Sequence, residues 1–304
     1  MNTRFVILIA GPTAVGKTAM AINVARTFHT EIISADSRQC YRELNIGVAR
    51  PSEEELAAVK HHFIATHSVQ DELTAASYEQ YALSVSETLF KNNSTIVITG
   101  GTGLYIRAFL EGLDAVPAVP ADLRRELTRQ YNENGRDWLI EELTKKDTSY
   151  AAHGDLLNPQ RMLRALEVWE CFGKSILSYH ENGTKPRPFK VIRIGLDMPR
   201  EDLYKKINIR VEQMIVSGLI EEVQGLEKFK QLSPLQTVGY RELFPYLNGD
   251  CTKDRAVELI QQNTRHYAKR QLTWFRNQER LQWFDPSNTQ AVINFINQEL
   301  KKEF

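Results

Sequence analysis

The stretch Phe5-Val6-Ile7-Leu8-Ile9-Ala10-Gly11-Pro12-Thr13-Ala14-Val15-Gly16-Lys17-Thr18 decides the fold. A short apolar run with the length of a buried strand stops at Gly11, and an alanine-rich segment from Thr18 to Ala25 reads as a helix. The eight residues Gly11 to Thr18 between them fit G-x-x-x-x-G-K-[ST]. Glycines at both ends let backbone N–H groups turn inward onto a polyanion at a helix N-terminus. Lys17 adds a point charge, and the Thr18 hydroxyl is placed to hold Mg²⁺. The loop therefore specifies a bound di- or triphosphate. It leaves the reaction open.

Working outward, further short apolar runs appear at Ile32-Ile33-Ser34, Thr95-Ile96-Val97-Ile98 and Val191 to Leu196. Their alternation with helical segments predicts a P-loop NTPase-like α/β fold, a parallel sheet flanked by helices. Between the third and fourth runs lies a long segment without strand character, bordered by Val116-Pro117-Ala118-Val119-Pro120 and Lys185-Pro186-Arg187-Pro188. It reads as a helical insertion. Its clearest helix opens at Asn158-Pro159, shows Met162, Leu163, Leu166, Trp169 and Phe172 on one side, and stops at Gly173. The expected organisation is a first core segment over 1–115, the insertion over 116–189, and a last core strand with C-terminal helices over 190–304. The segment Thr252 to Arg280 has neither proline nor glycine and is one long helix or two.

The 304 residues are 42% hydrophobic and 25% charged, a globular composition, and 38 Lys plus Arg balance 38 Asp plus Glu. Zero net charge argues against a scavenger of bulk nucleic acid and moves attention to local charge. Cys40, Cys171 and Cys251 have no metal-ligand spacing, and the seven histidines form no ligand constellation. The first ten residues are too short an apolar run for a signal core or a membrane span. A cytoplasmic protein with no membrane partner is expected.

The usual companion of such a loop is an acid at the end of another strand. The strand ending at Ile98 is followed by Thr99-Gly100-Gly101-Thr102 and has none, which disfavours a mechanochemical ATPase. The only acid directly after a strand is Asp36. Position allows two readings, a turn or cap aspartate beside Ser34 and Ser37, or a base at the carboxyl edge of the sheet, where ligands collect in open α/β folds.

Six stretches then resemble the bacterial tRNA dimethylallyltransferases: Gly11 to Thr18, Ile33 to Tyr41, Gly100 to Tyr105, Pro159 to Glu167, Thr237 to Arg241 and Lys269 to Arg276. They occur in the family's order and span most of the chain. The resemblance implies transfer of a dimethylallyl group from dimethylallyl diphosphate to the N6 amine of the adenosine 3′-adjacent to the anticodon, by a monomer acting on the tRNA anticodon stem-loop. Gly11, Pro12, Thr13, Ala14, Val15, Gly16, Lys17 and Thr18 would hold the diphosphate, with Mg²⁺ at Thr18. Asp36 would be the general base, with Thr102 and Arg210 also catalytic. Implied RNA contacts are Asp36, Ser37, Arg38, Gln39 and Thr102 near the loop, and Arg124, Gln160, Arg161 and Arg164 in the insertion. Later in the chain they are Gly239, Tyr240, Arg241, Lys269, Arg270, Gln271 and Arg276. The chain departs from the family pattern at Val48, where a threonine is common, and at Ala65, where an acid often stands.

From Thr264 to Arg280 there are five basic residues and one acid, Glu279. On a helix Arg265, Lys269, Arg276 and Arg280 would share one face, either a solvated face or an RNA backbone contact. Tyr267, Trp274 and Phe275 are at spacings that favour core contacts over base stacking. Three rivals remain at this level: a kinase using Asp36 as base, a prenyltransferase acting on free adenine nucleotides, and a non-catalytic RNA-binding module.

Overall fold

The structure, a computed structural model, describes residues 3–180, 183–278 and 280–302. The opening apolar run forms β1 (Phe5–Ala10), every residue of which is buried. Five more strands join it: β2 (Ile32–Ser34), β3 (His61–His62), β4 (Thr95–Gly100), β5 (Lys190–Leu196) and β6 (Gln282–Phe284). They form one sheet in the order β3-β2-β4-β1-β5-β6, with every pairing parallel. Register brings Ala10 opposite Gly100 on one side and Gly195 on the other, so three chain reversals converge at the carboxyl edge.

Alternation along β1 divides the core. Phe5, Ile7 and Ile9 pack on one face with Met20, Val24, Leu203, Val292 and Ile296. Those partners come from α1 (Lys17–Thr27), α8 (Arg200–Val216) and α12 (Thr289–Lys301). Val6 and Leu8 pack on the other face with Tyr78, Ile106, Phe109, Ile260 and Phe275. Those belong to α3 (Ala75–Leu89), α4 (Gly103–Glu111) and α11 (Lys253–Gln278). Burial of both faces explains why the central strands are unbroken apolar runs. The remaining core helices are α2 (Glu53–Ala58), α9 (Leu219–Gly225) and α10 (Leu243–Leu247).

β3 and β6 are additions to the strands expected from sequence. They are two and three residues long and sit at the sheet's edges, and β3 is a pair of histidines. Neither is an apolar run. The segment after Thr252 is a single helix, α11, that ends at Gln278, which leaves Arg280 beyond it.

The chain forms two compact units, one of Gly112–Lys185 and one of the rest. Both ends of the insertion fall a few residues earlier than 116 and 189. Its helices are α5 (Ala121–Lys146), α6 (Thr148–His153) and α7 (Pro159–Phe172). Leu127, Leu139, Leu143, Tyr150, Met162, Leu163 and Leu166 make a core of its own. In α7 the Asn158 carboxamide accepts from the N–H groups of Gln160 and Arg161, and Gly173 closes the helix in the left-handed region. Its buried side includes Val168, while Phe172 is 37% exposed, so the apolar stripe turns off the core one turn before the end. Gly112 and Lys185 touch: a Cβ on Gly112 would lie 2.5 Å from Lys185 Cδ.

Candidate active site

The loop after β1 has the backbone its sequence requires. Gly11 has φ 153° and cannot carry a side chain, since a Cβ there would stand 2.6 Å from the Leu196 carbonyl oxygen. Gly16, with φ 109°, caps α1 without any side-chain acceptor, so the first-turn N–H groups of the helix remain open to an anion. Lys17 turns back and donates to the Pro12 carbonyl at 2.7 Å. Burial pushes its ammonium pKa down to about 8, against the pull of Asp36 and with a smaller push from Arg210.

Asp36 satisfies both of its sequence readings. Its Oδ1 accepts from the N–H groups of Arg38 at 2.8 Å and Gln39 at 3.2 Å, a turn aspartate's bonds. It also borders two adjoining cavities of about 230 and 260 Å³. One is the phosphate-loop cradle, with Lys17, Thr18, Glu55 and His61 in its wall. The other is more apolar, with Val48, Val211, Met214, Val238 and Ile260. Thr13, Asp36, Val48, Ala49, Arg210 and Tyr267 line both.

Arg210 reaches this junction from α8, its Nη1 3.5 Å from Thr13 Oγ1. Burial lowers its pKa, and Glu55 and Asp36 oppose the shift. Thr102 acts through its neighbour. Its Oγ1 accepts from the Ser37 N–H at 3.0 Å and donates to Ser37 Oγ at 3.2 Å, which ties the turn after β4 to the Asp36 turn. That approach needs Gly100, where a Cβ would meet the Ala35 carbonyl oxygen at 2.2 Å. Gln39 donates to the carbonyls of Val48 and Ala49, so it shapes the cavity wall.

Several expected RNA contacts have other surroundings. Tyr240 is fully buried, and its hydroxyl donates to Glu222 Oε1 at 2.5 Å, so it is a support and offers RNA no surface. Gly239 is buried too, and Arg241 pairs with Glu242 at 2.8 Å. Gln271 is 6% exposed, with both ends of its amide engaged within the protein. In the basic stretch from Thr264 onward in α11, only Lys269 and Arg270 stand in solvent unpaired by an acid among the described residues, Arg270 lying over the Tyr267 ring. Arg265 donates to Asn208 at 2.7 Å and Arg276 to Asp197 at 2.6 Å, so the four-residue basic stripe is not a free face. Glu279 lies outside the described residues. In the insertion, Arg124 and Arg164 both pair with the buried carboxylate of Glu167, Arg161 pairs with Asp155, and Gln160 is exposed.

Phe275 and Trp274 pack in the core, as their spacing suggested, but Tyr267 lines both cavities. Its hydroxyl pKa is raised by burial and by Asp36. Glu222 carries no sequence motif. It accepts from the N–H groups of Ile46 and Gly47 at 2.8 and 3.1 Å and so holds the segment that leads into Val48 and Ala49.

Residues 39–278 match the family described as IPP transferase. The chain belongs to that family. IPP transferase relatives align over nearly the whole chain. The tRNA dimethylallyltransferase of Cytophaga hutchinsonii is 40% identical over 299 residues, 98% of each protein. That of Christiangramia forsetii is 44% identical over 98% of this chain and 99% of its own. Among solved structures, the full-length tRNA isopentenylpyrophosphate transferase of Bacillus halodurans superposes with a TM-score of 0.73 at 33% identity, covering 98% of this chain and 97% of that one. A eukaryotic dimethylallyltransferase captured acting on tRNA shares the fold, with a TM-score of 0.76 at 22% identity over 93% of this chain and 74% of its own.

Proposed function

We propose that the protein transfers the dimethylallyl group of dimethylallyl diphosphate to the N6 amine of the adenosine 3′-adjacent to the anticodon in tRNA. The observation that carries this reading is the position of Asp36, a carboxylate bordering both a polyanion cradle and an adjoining apolar cavity. A phosphoryl transferase acting on a small polar acceptor has no need of an apolar chamber on that side of its base.

The chemistry then follows from the residues. The adenosine N6 lone pair attacks the allylic carbon while the carbon–oxygen bond to diphosphate breaks and its electrons leave with diphosphate. Asp36 takes the N6 proton, which prevents a positive charge from persisting on a delocalised amine. Its Oδ1 stays anchored by two backbone N–H groups, which fixes the carboxylate's direction. Lys17, Arg210 and the open N–H groups of α1 meet the negative charge that develops on the leaving group. Thr102 positions the base through Ser37.

Among the described residues no group of three or more His, Cys, Asp or Glu could cage a metal ion. The Thr18 hydroxyl lines the cradle, and Mg²⁺ commonly takes one or two protein ligands and completes its shell with phosphate oxygens and water. Thr18 would hold it, and the ion would neutralise charge on the departing diphosphate. Of the RNA contacts, we retain Ser37, Arg38, Lys269 and Arg270 on the core, with Gln160, Arg161, Arg164 and Arg124 on the insertion. No described helix is long and apolar enough to cross a membrane. A monomer acting on the anticodon stem-loop in the cytoplasm fits this substrate.

Incubation of the protein with labelled dimethylallyl diphosphate and unmodified tRNA, followed by nucleoside analysis, tests the reading. Label should appear on N6 of one anticodon-loop adenosine, with no requirement for ATP. Label transfer to free adenosine monophosphate and not to tRNA, or turnover that requires ATP, would overturn it.

A further inference from the structure

Gln271 reaches from α11 to two places far away in sequence. Its Oε1 accepts from the Thr13 N–H of the phosphate loop at 2.8 Å. Its Nε2 donates to the Gly101 carbonyl in the turn after β4 at 2.9 Å. The orientation of the amide is forced, because a backbone N–H can only donate and a carbonyl can only accept. Glutamate lacks the donor, and no apolar side chain can do either. The fit is close: a Cβ on Gly101 would stand 2.1 Å from Nε2.

The two ends matter because of what they fix. Thr13 borders both cavities and stands against Arg210. Gly101 precedes Thr102, the residue that holds Ser37 beside the base. One buried amide thus sets the spacing between the diphosphate cradle and the turn that supports Asp36. A buried N–H or carbonyl left without a partner is costly, so the loop would rearrange if the amide were lost.

Resting on the diphosphate assignment of the loop, we propose that Gln271 is a positioning residue for the donor site, acting through Thr13 and Gly101, and not an RNA contact. The exposed Lys269 and Arg270 next to it in α11 face solvent, so the two roles can be separated by experiment.

The test measures two affinities on the full-length protein, for inorganic pyrophosphate with Mg²⁺ by calorimetry and for unmodified tRNA by filter binding. Gln271→Met keeps the length of the side chain and removes both hydrogen bonds. Gly101→Ala leaves Gln271 in place and pushes its amide from the other side, which covers the case in which the first variant fails to fold. Each should weaken pyrophosphate about tenfold, equivalent to about 1.4 kcal/mol, with tRNA affinity unchanged. Gln271→Glu should also fail to restore pyrophosphate binding, since it keeps only the acceptor. Lost tRNA affinity with intact pyrophosphate binding would return Gln271 to RNA recognition and overturn the proposal. Absence of pyrophosphate binding in the wild type would instead refute the diphosphate assignment itself, and that result is read before any variant.

Discussion

Raising the pH should weaken the donor site in a way that depends on one side chain. Burial holds the Lys17 ammonium down at about 8, whereas a free lysine titrates above 10. In the free enzyme Lys17 is then about nine-tenths charged at pH 7 and about one-tenth charged at pH 9. Diphosphate needs the charged form, so at high pH binding must take up a proton. The sign follows: affinity is full below the lowered pKa and falls as pH rises through it. Between pH 7 and 9 the loss is about tenfold. Pyrophosphate has ionisations of its own, so the comparison is with Lys17→Arg, whose guanidinium stays charged throughout. The ligand's titration is common to both proteins and cancels in the ratio of their dissociation constants. Calorimetry with Mg²⁺ held constant, at pH 7, 8 and 9 in buffers of different ionisation enthalpy, gives both that ratio and the protons taken up. Relative to Lys17→Arg, wild type should take up close to one proton more on binding at pH 9 and almost none more at pH 7. A ratio that stays flat over this range would refute the claim that a discharged Lys17 limits binding.

Asp36→Asn keeps an acceptor for the Arg38 and Gln39 N–H groups but removes the carboxylate proposed as the base. Single-turnover transfer should slow by about 10²- to 10⁴-fold with tRNA affinity little changed; a rate near wild type would release Asp36 from that role. Lys269→Gln with Arg270→Gln should lower the slope of tRNA affinity against salt by roughly one unit per contact. Arg276→Gln, whose partner is Asp197, should leave the slope in place. Phe275→Ala empties a fully buried aromatic position between α11 and the sheet and should cost about 3–5 kcal/mol in urea unfolding.

The site was legible wherever its parts were contiguous in sequence. The phosphate loop is eight consecutive residues with strand before and helix after, and Asp36 stands two residues past the end of β2. Short-range chemistry of that kind is visible without a fold. Gln271 is different, since its partners are 258 and 170 residues away, and nothing in α11's periodicity marks it. Glu222 is equally silent, with its backbone partners at 176 and 175 residues. Tyr267 misled because helical spacing assigns it to the side that buries Ala268 and Phe275, and that side runs past the cavities before it reaches the core. The basic stripe misled for a related reason. Periodicity aligns charges on a helix but cannot say that Asn208 and Asp197 wait on neighbouring elements to bind them. Edge strands of two or three residues carry too little pattern to be seen at all.

The meeting of Gly112 and Lys185 has a consequence for how such a chain can change over generations. Two ends that touch can be rejoined by a tight turn, so the whole of 112–185 can be lengthened, exchanged or lost as a cassette at a single point. The strand pairings on either side would keep their register, because β4 and β5 do not align with each other but each with β1. The closure entropy of a loop grows only logarithmically with its length, so even large alterations there cost the parent sheet little. A lineage could therefore rework the cassette's surface while the chamber around Asp36 stays under separate selection.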